Sequence, residues 1–353
     1  MSLFNTSEIA FGLDISDRNL RLVQLRKKGK INVIQLYNEI KLPPDCIRGG
    51  EVNDPKLFLN SLNKLIKTKQ GRGKLSDEVI SVLPEDKTFL KVIEIPLVGK
   101  NQIESQIREK LPQHIPLAID DIYFDWQIIS AKENLQTVLV GASPKKIVDS
   151  YVAVLSEANL TPIALEIEAA AIARALLDQT REQKTQIIID FGANRTGLFL
   201  YDEGTIKFTV SLPLSGNGIT QLIAETLGLD AEKAERAKII CGFDKNKCHG
   251  ALLEIMSDSI GALINHINQA IDFYENNFSS VKKIEKIVLC GGGANFLNIS
   301  QVLQEKLNIP VGISDPWQNV VDPQAPYFNQ QKVQSFITAM GLALRGLDSK
   351  SFL

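Results

Sequence analysis

At 353 residues the chain is too long for one small core and suits two domains or one large two-lobed unit. Hydrophobic residues make up 44% and charged residues 23%, a globular balance, and a formal net charge of −2 leaves no basic surplus to neutralise many phosphates, so nucleic acid is not expected as the main partner. No apolar run approaches the roughly 20 residues that span a bilayer, so no direct membrane insertion is expected.

The start, Met1 to Glu8, lacks the basic and apolar regions of a signal peptide. Ile9 to Ser16 then reads as a buried strand that runs through Asp14 into a tight turn. Leu20–Arg26 and Ile31–Ile40 read as the second and third strands of a meander, joined by the polar turn Lys27–Lys30. The stretch from Val79 to Pro162 reads as an α+β unit of its own, with strands at Val79–Leu83 and Leu90–Ile95. A helix follows from Asn101 to Leu111, with Ile103, Ile107 and Leu111 on one face, then strands at Ile122–Ile129 and Thr137–Val140. Its last helix opens at Ser143-Pro144 and runs to about Ala158.

The opening pattern returns at Ile187-Ile188-Ile189-Asp190-Phe191-Gly192, followed by strands at Thr196–Tyr201 and Thr205–Leu212. A duplication at this distance is the strongest organisational signal in the sequence. Helices are expected near Gly218–Thr226, at Ala231–Ile240 with Asp230 as N-cap, and from Leu252 to Asn276. A short strand, Ile287–Leu289, leads into Gly291-Gly292-Gly293, then a helix over Asn298–Leu307 and a last one over Phe336–Leu347.

Cys46, Cys241, Cys248 and Cys290 form no C-x-x-C pair, so a disulfide framework is not expected and a reducing cytoplasm is the default. Cys241, Cys248 and His249 fit no common zinc spacing. His114 and His266 lack sequence partners for catalysis and read as structural or exposed.

Two strands that end in Asp suit a magnesium–nucleotide site. Asp14 and Asp190 would face each other and hold Mg²⁺ largely through water, while the turns beyond them offer N–H groups to phosphate. Each Asp alone also reads as a plain turn residue; the duplication favours the functional reading. Gly291, Gly292 and Gly293 follow a strand and precede a helix, a context that lets backbone approach a ligand closely, although a triple glycine is also a common flexible turn.

These segments resemble the actin/Hsp70/sugar-kinase superfamily, in the expected order and over nearly the whole chain. Phe11–Leu25 is similar to its first phosphate loop and Glu166–Ala173 to its first connecting helix, with Glu166 where Hsp70-type ATPases place a catalytic acid. Asp190–Thr196 is similar to the second phosphate loop, Gly291–Ala294 to the adenosine loop and Thr338–Ala343 to the second connecting helix. Within the superfamily the chain is similar to the PilM family, the actin-like proteins of type IV pilus assembly. The carrying features are Gly12–Ile15, Ile115–Ala118 leading to Phe124–Trp126, Ala234-Glu235 with Lys238, Ile271–Tyr274 and Gly341–Arg345. The ending at Ser351–Leu353 lacks the membrane-helix tail usual in the division protein FtsA.

The resemblance implies an α/β, actin-like (ribonuclease H-like), duplicated two-lobe fold with an inserted α+β subdomain. The first lobe would comprise 6–80, 162–185 and 336–350, the insert 81–161 and the second lobe 186–335. It implies ATP or ADP with Mg²⁺ as ligands, bound by Asp14, Ser16, Asp190, Gly192, Ala193, Thr196, Glu235, Lys238 and Gly291–Gly293, the helix of Glu235 and Lys238 lying beside the ribose. Glu232, Glu235 and Lys238 also read as a solvated charged face. Ser16 stands where the family has glycine and Asp17 follows, adding a Cβ and a negative charge; Ser16 could instead donate its hydroxyl. At most a weak ATPase is implied. The implied role is a cytoplasmic scaffold, held at the inner membrane by docking the short N-terminal tail of a PilN-like membrane protein, with other pilus components and self-association as further contacts. The competing readings are an FtsA-like filament former and a small-molecule kinase or phosphatase of the same superfamily.

Overall fold

The computed structural model describes residues 9–177, 184–278, 281–321, 328 and 330–347. The readings at Met1–Glu8 and Ser351–Leu353 lie outside them. The chain divides into two compact units: residues up to 178 with 316–325 and 336 onward, and residues 179–315 with 326–335.

Unit one opens with the meander expected: β1 (Phe11–Ile15), β2 (Asn19–Lys28) and β3 (Ile31–Lys41), paired antiparallel. A small hairpin, β4 (Ile47–Arg48) and β5 (Glu51–Val52), precedes α1 (Pro55–Lys67). This helix, absent from the elements read above, has a clear local cause. The Asp54 side chain accepts a hydrogen bond from Leu57 N at 3.0 Å, Pro55 starts the first turn, and Phe58, Leu62 and Leu65 fall on one buried face. Next come β6 (Gln70–Gly71), β7 (Glu78–Leu83), β8 (Phe89–Pro96), α2 (Lys100–Lys110), β9 (Ile122–Lys132), β10 (Leu135–Pro144), α3 (Lys145–Glu157), β11 (Thr161–Ile167) and α4 (Glu168–Leu176). The main sheet has the order β11-β7-β1-β2-β3-β6.

The separate α+β body is smaller than the stretch read over 79–162. It is the sheet β8-β10-β9 with α2, whose core includes Ile93, Ile95, Ile103, Ile107, Val138 and Val140. Strand β7 instead pairs in parallel with β1 and β11. Its residues Val79 to Leu83 are all buried, as a central parallel strand covered on both faces requires. Helix α3 likewise sends Ile147, Tyr151, Val154 and Leu155 into the core of the main sheet, with Phe11, Leu13, Phe58 and Val79. A second difference follows it: Glu166 lies in strand β11, and the helix expected to include it begins at Glu168.

Unit two repeats the plan. Strands β12 (Gln186–Phe191), β13 (Thr196–Asp202) and β14 (Thr205–Leu212) form the meander, then come α5 (Gly216–Leu227) and α6 (Ala231–Cys241). The Asp230 side chain caps α6, accepting from Lys233 N at 2.8 Å. The single helix expected over 252–276 is two helices, α7 (Ala251–Ile255) and α8 (Ser257–Asn277), kinked at the fully buried Met256. Strand β15 (Lys286–Cys290), α9 (Ile299–Leu307), β16 (Val311–Ile313) and α10 (Gln330–Gln334) complete the unit. Its sheet order, β14-β13-β12-β15-β16, matches β3-β2-β1-β7-β11 of unit one, including the parallel pairing of the last strands. The duplication seen in the sequence is therefore a duplication of sheet topology.

The last helix, α11 (Ile337–Leu347), returns to unit one and lies against β1 and α4. A Cβ on Gly12 would meet the Ala339 carbonyl and the Ala343 nitrogen, and one on Gly341 would meet the Ala171 carbonyl. Backbone touches backbone here, which explains the small residues along this helix. Gly341→Ala should therefore cost about 2 kcal/mol by overpacking. Gly261→Ala, at a helical position with nothing nearby, should add about 0.5–1 kcal/mol. Urea denaturation of the two variants checks the opposite signs, and a Gly341→Ala curve lying on that of the parent would overturn the close-packing account.

Candidate functional site

In unit two most of the residues singled out in the sequence come together. Asp190 ends the buried run of β12, and the chain turns at once: Gly192 N donates to Arg195 O at 2.9 Å. The loop is tied to the start of α5, where Gly216 N donates to Gly192 O at 3.0 Å and Asn217 N to Ala193 O at 2.9 Å. The Ser215 hydroxyl caps α5, accepting from Gly218 N at 3.1 Å. Thr196 is fully buried and its hydroxyl donates to Leu214 O at 2.7 Å, so this side chain closes the loop from within.

Lys238, on α6, is only 4% exposed. Its ammonium donates to Gly216 O at 2.9 Å, Thr220 Oγ1 at 2.6 Å and Glu235 Oε2 at 2.6 Å, and lies 5.3 Å from the centre of the Phe296 ring. The reading of α6 as a solvated charged face thus holds for Glu232, which is exposed and pairs with Arg236, and fails for Lys238. Phe296 follows the glycine turn. Gly291 has φ 75°, in the left-handed region, and a Cβ there would meet Asp190 Oδ1 and the Phe191 carbonyl. One on Gly293 would strike the Phe191 ring, whereas Gly292 faces open space. The turn therefore lies directly against the Asp190 loop, and Cys290 Sγ sits 3.8 Å from Asp190 Oδ1.

This unit offers a glycine-lined turn, a half-buried carboxylate and a fixed cation within one connected set of loops. The set fits the phosphate and ribose of a nucleotide. Among the described residues no group of three or more His, Cys, Asp or Glu is placed to hold a metal ion by itself.

Unit one presents its singled-out residues differently. Asp14 is 4% exposed, and Arg21 Nη1 donates to its Oδ2 at 3.1 Å while Arg21 Nε donates to Glu39 Oε1 at 2.7 Å. The ladder register makes this row: Asp14 pairs with Arg21 across β1–β2, and Arg21 with Glu39 across β2–β3. Arg21 was not flagged in the sequence, although counting back from the turn at Ser16–Asn19 would have found it. Burial pushes the Asp14 carboxyl up to about 6; the Arg21 charge opposes this and nearby Glu168 adds to it. Ser16 closes that turn: its hydroxyl donates to Asn19 O at 3.1 Å and accepts from Asn19 N at 3.2 Å.

Glu166 is held by two arginines. Arg174 grips it as a fork at 2.7 and 2.9 Å, Arg345 Nη1 adds a bond at 2.8 Å, and Arg174 also reaches Gly341 O at 3.0 Å. The carboxylate thereby ties β11, α4 and α11 together. Neither arginine's role could be read without knowing that these three elements meet.

The family model described as type IV pilus assembly protein PilM matches residues 12–347. Among solved structures the chain is similar to the PilM–PilN type IV pilus biogenesis complex, with a TM-score of 0.80 and 22% identity over 96% of this chain and 98% of that one. It is also similar to the ethanolamine utilization protein EutJ from Carboxydothermus hydrogenoformans, with a TM-score of 0.55 and 16% identity over 95% of this chain and 89% of that one. MreB5 of Spiroplasma citri bound to ADP gives a TM-score of 0.52 and 13% identity over 98% and 97% of the two chains. The fold is the actin-like one expected. In sequence, the cell division protein FtsA of Buchnera aphidicola subsp. Baizongia pistaciae is 26% identical over 188 residues, 45% of this chain and 44% of that protein. The chain thus matches under half the length of this relative.

The Asp14 geometry fixes a pH dependence. Its carboxyl holds a proton to about pH 6 in the folded chain and to about 3.8 when unperturbed. The stability it contributes is complete below the lower value and is lost as pH rises through the upper one. Relative to the parent, Asp14→Asn should therefore gain stability between about pH 4 and pH 7, by at most about 3 kcal/mol. Urea melts across that range measure the difference, and a flat one would overturn the assignment. Glu166→Gln should cost about 3–5 kcal/mol at neutral pH, since it leaves two partly buried guanidinium groups without their counter-charge. A loss under about 1 kcal/mol, the range of an exposed pair, would show that the clamp holds little.

Proposed function

The chain belongs to the PilM family of type IV pilus assembly proteins, and from that premise we propose that it is a nucleotide-binding scaffold that docks the N-terminal tail of a PilN-like membrane protein. The observation that carries the nucleotide part is the convergence in unit two of the Asp190 loop, the buried Lys238 and the glycine turn at Gly291–Gly293. The ligand is ATP or ADP with Mg²⁺. The nucleotide would supply the phosphate oxygens and the metal a positive charge. Backbone N–H groups of the Gly192–Arg195 loop serve phosphate, Asp190 orients metal-bound water, and the α6 residues Glu235 and Lys238 serve the ribose side. Arg21 already balances Asp14 and two arginines already hold Glu166. We give the magnesium-facing role to Asp190 because it lies at the end of β12 directly against the glycine turn, and treat Glu166 as a clamp.

The docking part rests on family membership and on the likeness to a PilM chain bound to PilN. In this reading the protein sits in the cytoplasm, is drawn to the inner membrane through its partner, and joins the pilus machine on both sides of that contact. No helix among the described residues is long and apolar enough to cross a membrane, which accords with attachment through a partner.

Calorimetric titration of Mg·ATP into the purified chain should show one binding event. Asp190→Ala should weaken it at least about 10-fold, equivalent to about 1.4 kcal/mol, by removing the metal-facing carboxylate. Affinity unchanged in that variant would remove the site assignment. A synthetic tail peptide of the PilN-like partner should bind the chain, and its affinity should differ between the ATP-bound and nucleotide-free forms, because both ligands bias one conformational equilibrium. Equal affinities would reject the coupling while leaving both sites intact.

A further inference from the structure

One feature of unit two departs from expectation and lies outside the nucleotide reading. Cys241 and Cys248, which the sequence offered no reason to pair, are joined by a disulfide, with their Cα atoms 5.8 Å apart. Cys241 is the last residue of α6 and is 2% exposed, while Cys248 is on the surface. Between them the chain makes tight turns, with Asp244 N donating to Cys241 O at 3.1 Å and Lys247 N to Asp244 O at 3.1 Å. After Lys247 the backbone holds three successive residues in the left-handed region, Cys248 at φ 49°, His249 at 53° and Gly250 at 73°. Two of these carry a Cβ, so the turn that holds Cys248 costs conformational energy.

We propose that Cys241 and Cys248 form a reversible thiol–disulfide site, with Cys248 as the thiol that meets the oxidant and Cys241 as the thiol that resolves it. The asymmetry of exposure sets the roles, since only Cys248 can be reached from solvent. Its neighbours Lys245, Lys247 and His249 are all exposed and basic, a setting that favours a thiolate at this position. Asp244, half-buried, is the acidic group in the same loop. The closed loop is short, and it runs from Cys241 at the edge of the core to Cys248 on the surface. A bond of this kind can open without unfolding the core.

The oxidant is a small disulfide, RSSR. The Cys248 thiolate attacks one sulfur of RSSR and expels RS⁻, giving a mixed disulfide at Cys248. The Cys241 thiolate then attacks the Cys248 sulfur and expels the second RS⁻. Two protein thiols are oxidised by two electrons and RSSR is reduced to two RSH, the two protons passing from protein thiols to the leaving groups. A dithiol reverses the sequence.

The closed state fastens the end of α6. Gly242 N donates to Lys238 O at 3.0 Å, and Phe243 N donates to Leu297 O at 2.8 Å, so the same turn leans on the segment beside the glycine turn. Closing the loop should stiffen α6 near Lys238 and raise the midpoint of thermal unfolding by about 5 °C over the reduced chain.

The test equilibrates the full chain in glutathione buffers running from fully reduced to fully oxidised and counts free thiols by alkylation and mass spectrometry. Cys241 and Cys248 should lose and regain their thiols together, and Cys46 and Cys290, both buried, should stay reduced. Cys241→Ser should accumulate one glutathione on Cys248, whereas Cys248→Ser should accumulate none and lose the thermal difference between buffers. If Cys241→Ser does not fold, Cys248→Ser at its exposed position still tests the roles. A glutathione adduct on Cys241 in that variant would overturn them. A pair that stays closed in excess dithiothreitol, or never closes in oxidised glutathione, would overturn reversibility. None of these readouts involves nucleotide, so the result stands apart from the binding reading above.

Discussion

Unit one depends on a contact with no side chain in it. Helix α11 approaches β1 and α4 so closely that Gly12 and Gly341 have backbone where a Cβ would be. At that distance the helix can be held only by what surrounds it. The apolar residues Leu342 and Ala171 fill the sides, and the Glu166 carboxylate, gripped by Arg174 and Arg345, pins the ends. Losing one partner would be costly here, because the carboxylate is buried and held in a bidentate geometry, and an uncompensated charge would be left behind. An acid placed in this position is a structural tie before it is a base.

Unit two applies the same economy of space to a loop. Gly291 and Gly293 let the turn after β15 press against Asp190 and Phe191, and Phe296 carries that contact to Lys238. The lysine is the node. Its three hydrogen bonds join the start of α5 to α6, and its charge is met by Glu235, which is still half-exposed. A buried ammonium with all three donors satisfied and a counter-ion at its edge is a stable tie between the two helices.

Much of this was legible in the sequence because it is local. Each meander is written as apolar runs separated by turns such as Asp202-Glu203-Gly204, and the structure places Glu203 and Gly204 at positive φ, as such a turn requires. The helix N-cap at Asp230 was equally plain. What could not be read was partnership at a distance. The run Val79–Leu83 declares a buried strand but does not name its neighbours, so it was grouped with the strands that follow it instead of with β1, nearly 70 residues earlier. The start of α4 was set two residues early because Ile167 provides no side-chain cap to mark the boundary. The roles of Arg21, Arg174 and Arg345 are hidden for the same reason: each acts through register or helix packing, and a lone arginine in sequence reads as surface.

The two units therefore divide their polar groups in a telling way. In unit one both carboxylates singled out in the sequence already have guanidinium partners, Asp14 in Arg21, which it shares with Glu39, and Glu166 in two arginines. A general base must have an oxygen that can meet water, and both oxygens of Glu166 already accept hydrogen bonds from guanidinium groups. In unit two the glycine turn lies against Asp190 and Phe191, with the Phe296 ring between it and the Lys238 ammonium. Under the function proposed above, a bound nucleotide would act by holding one conformation, because a ligand shifts an equilibrium by its differential affinity for the two states.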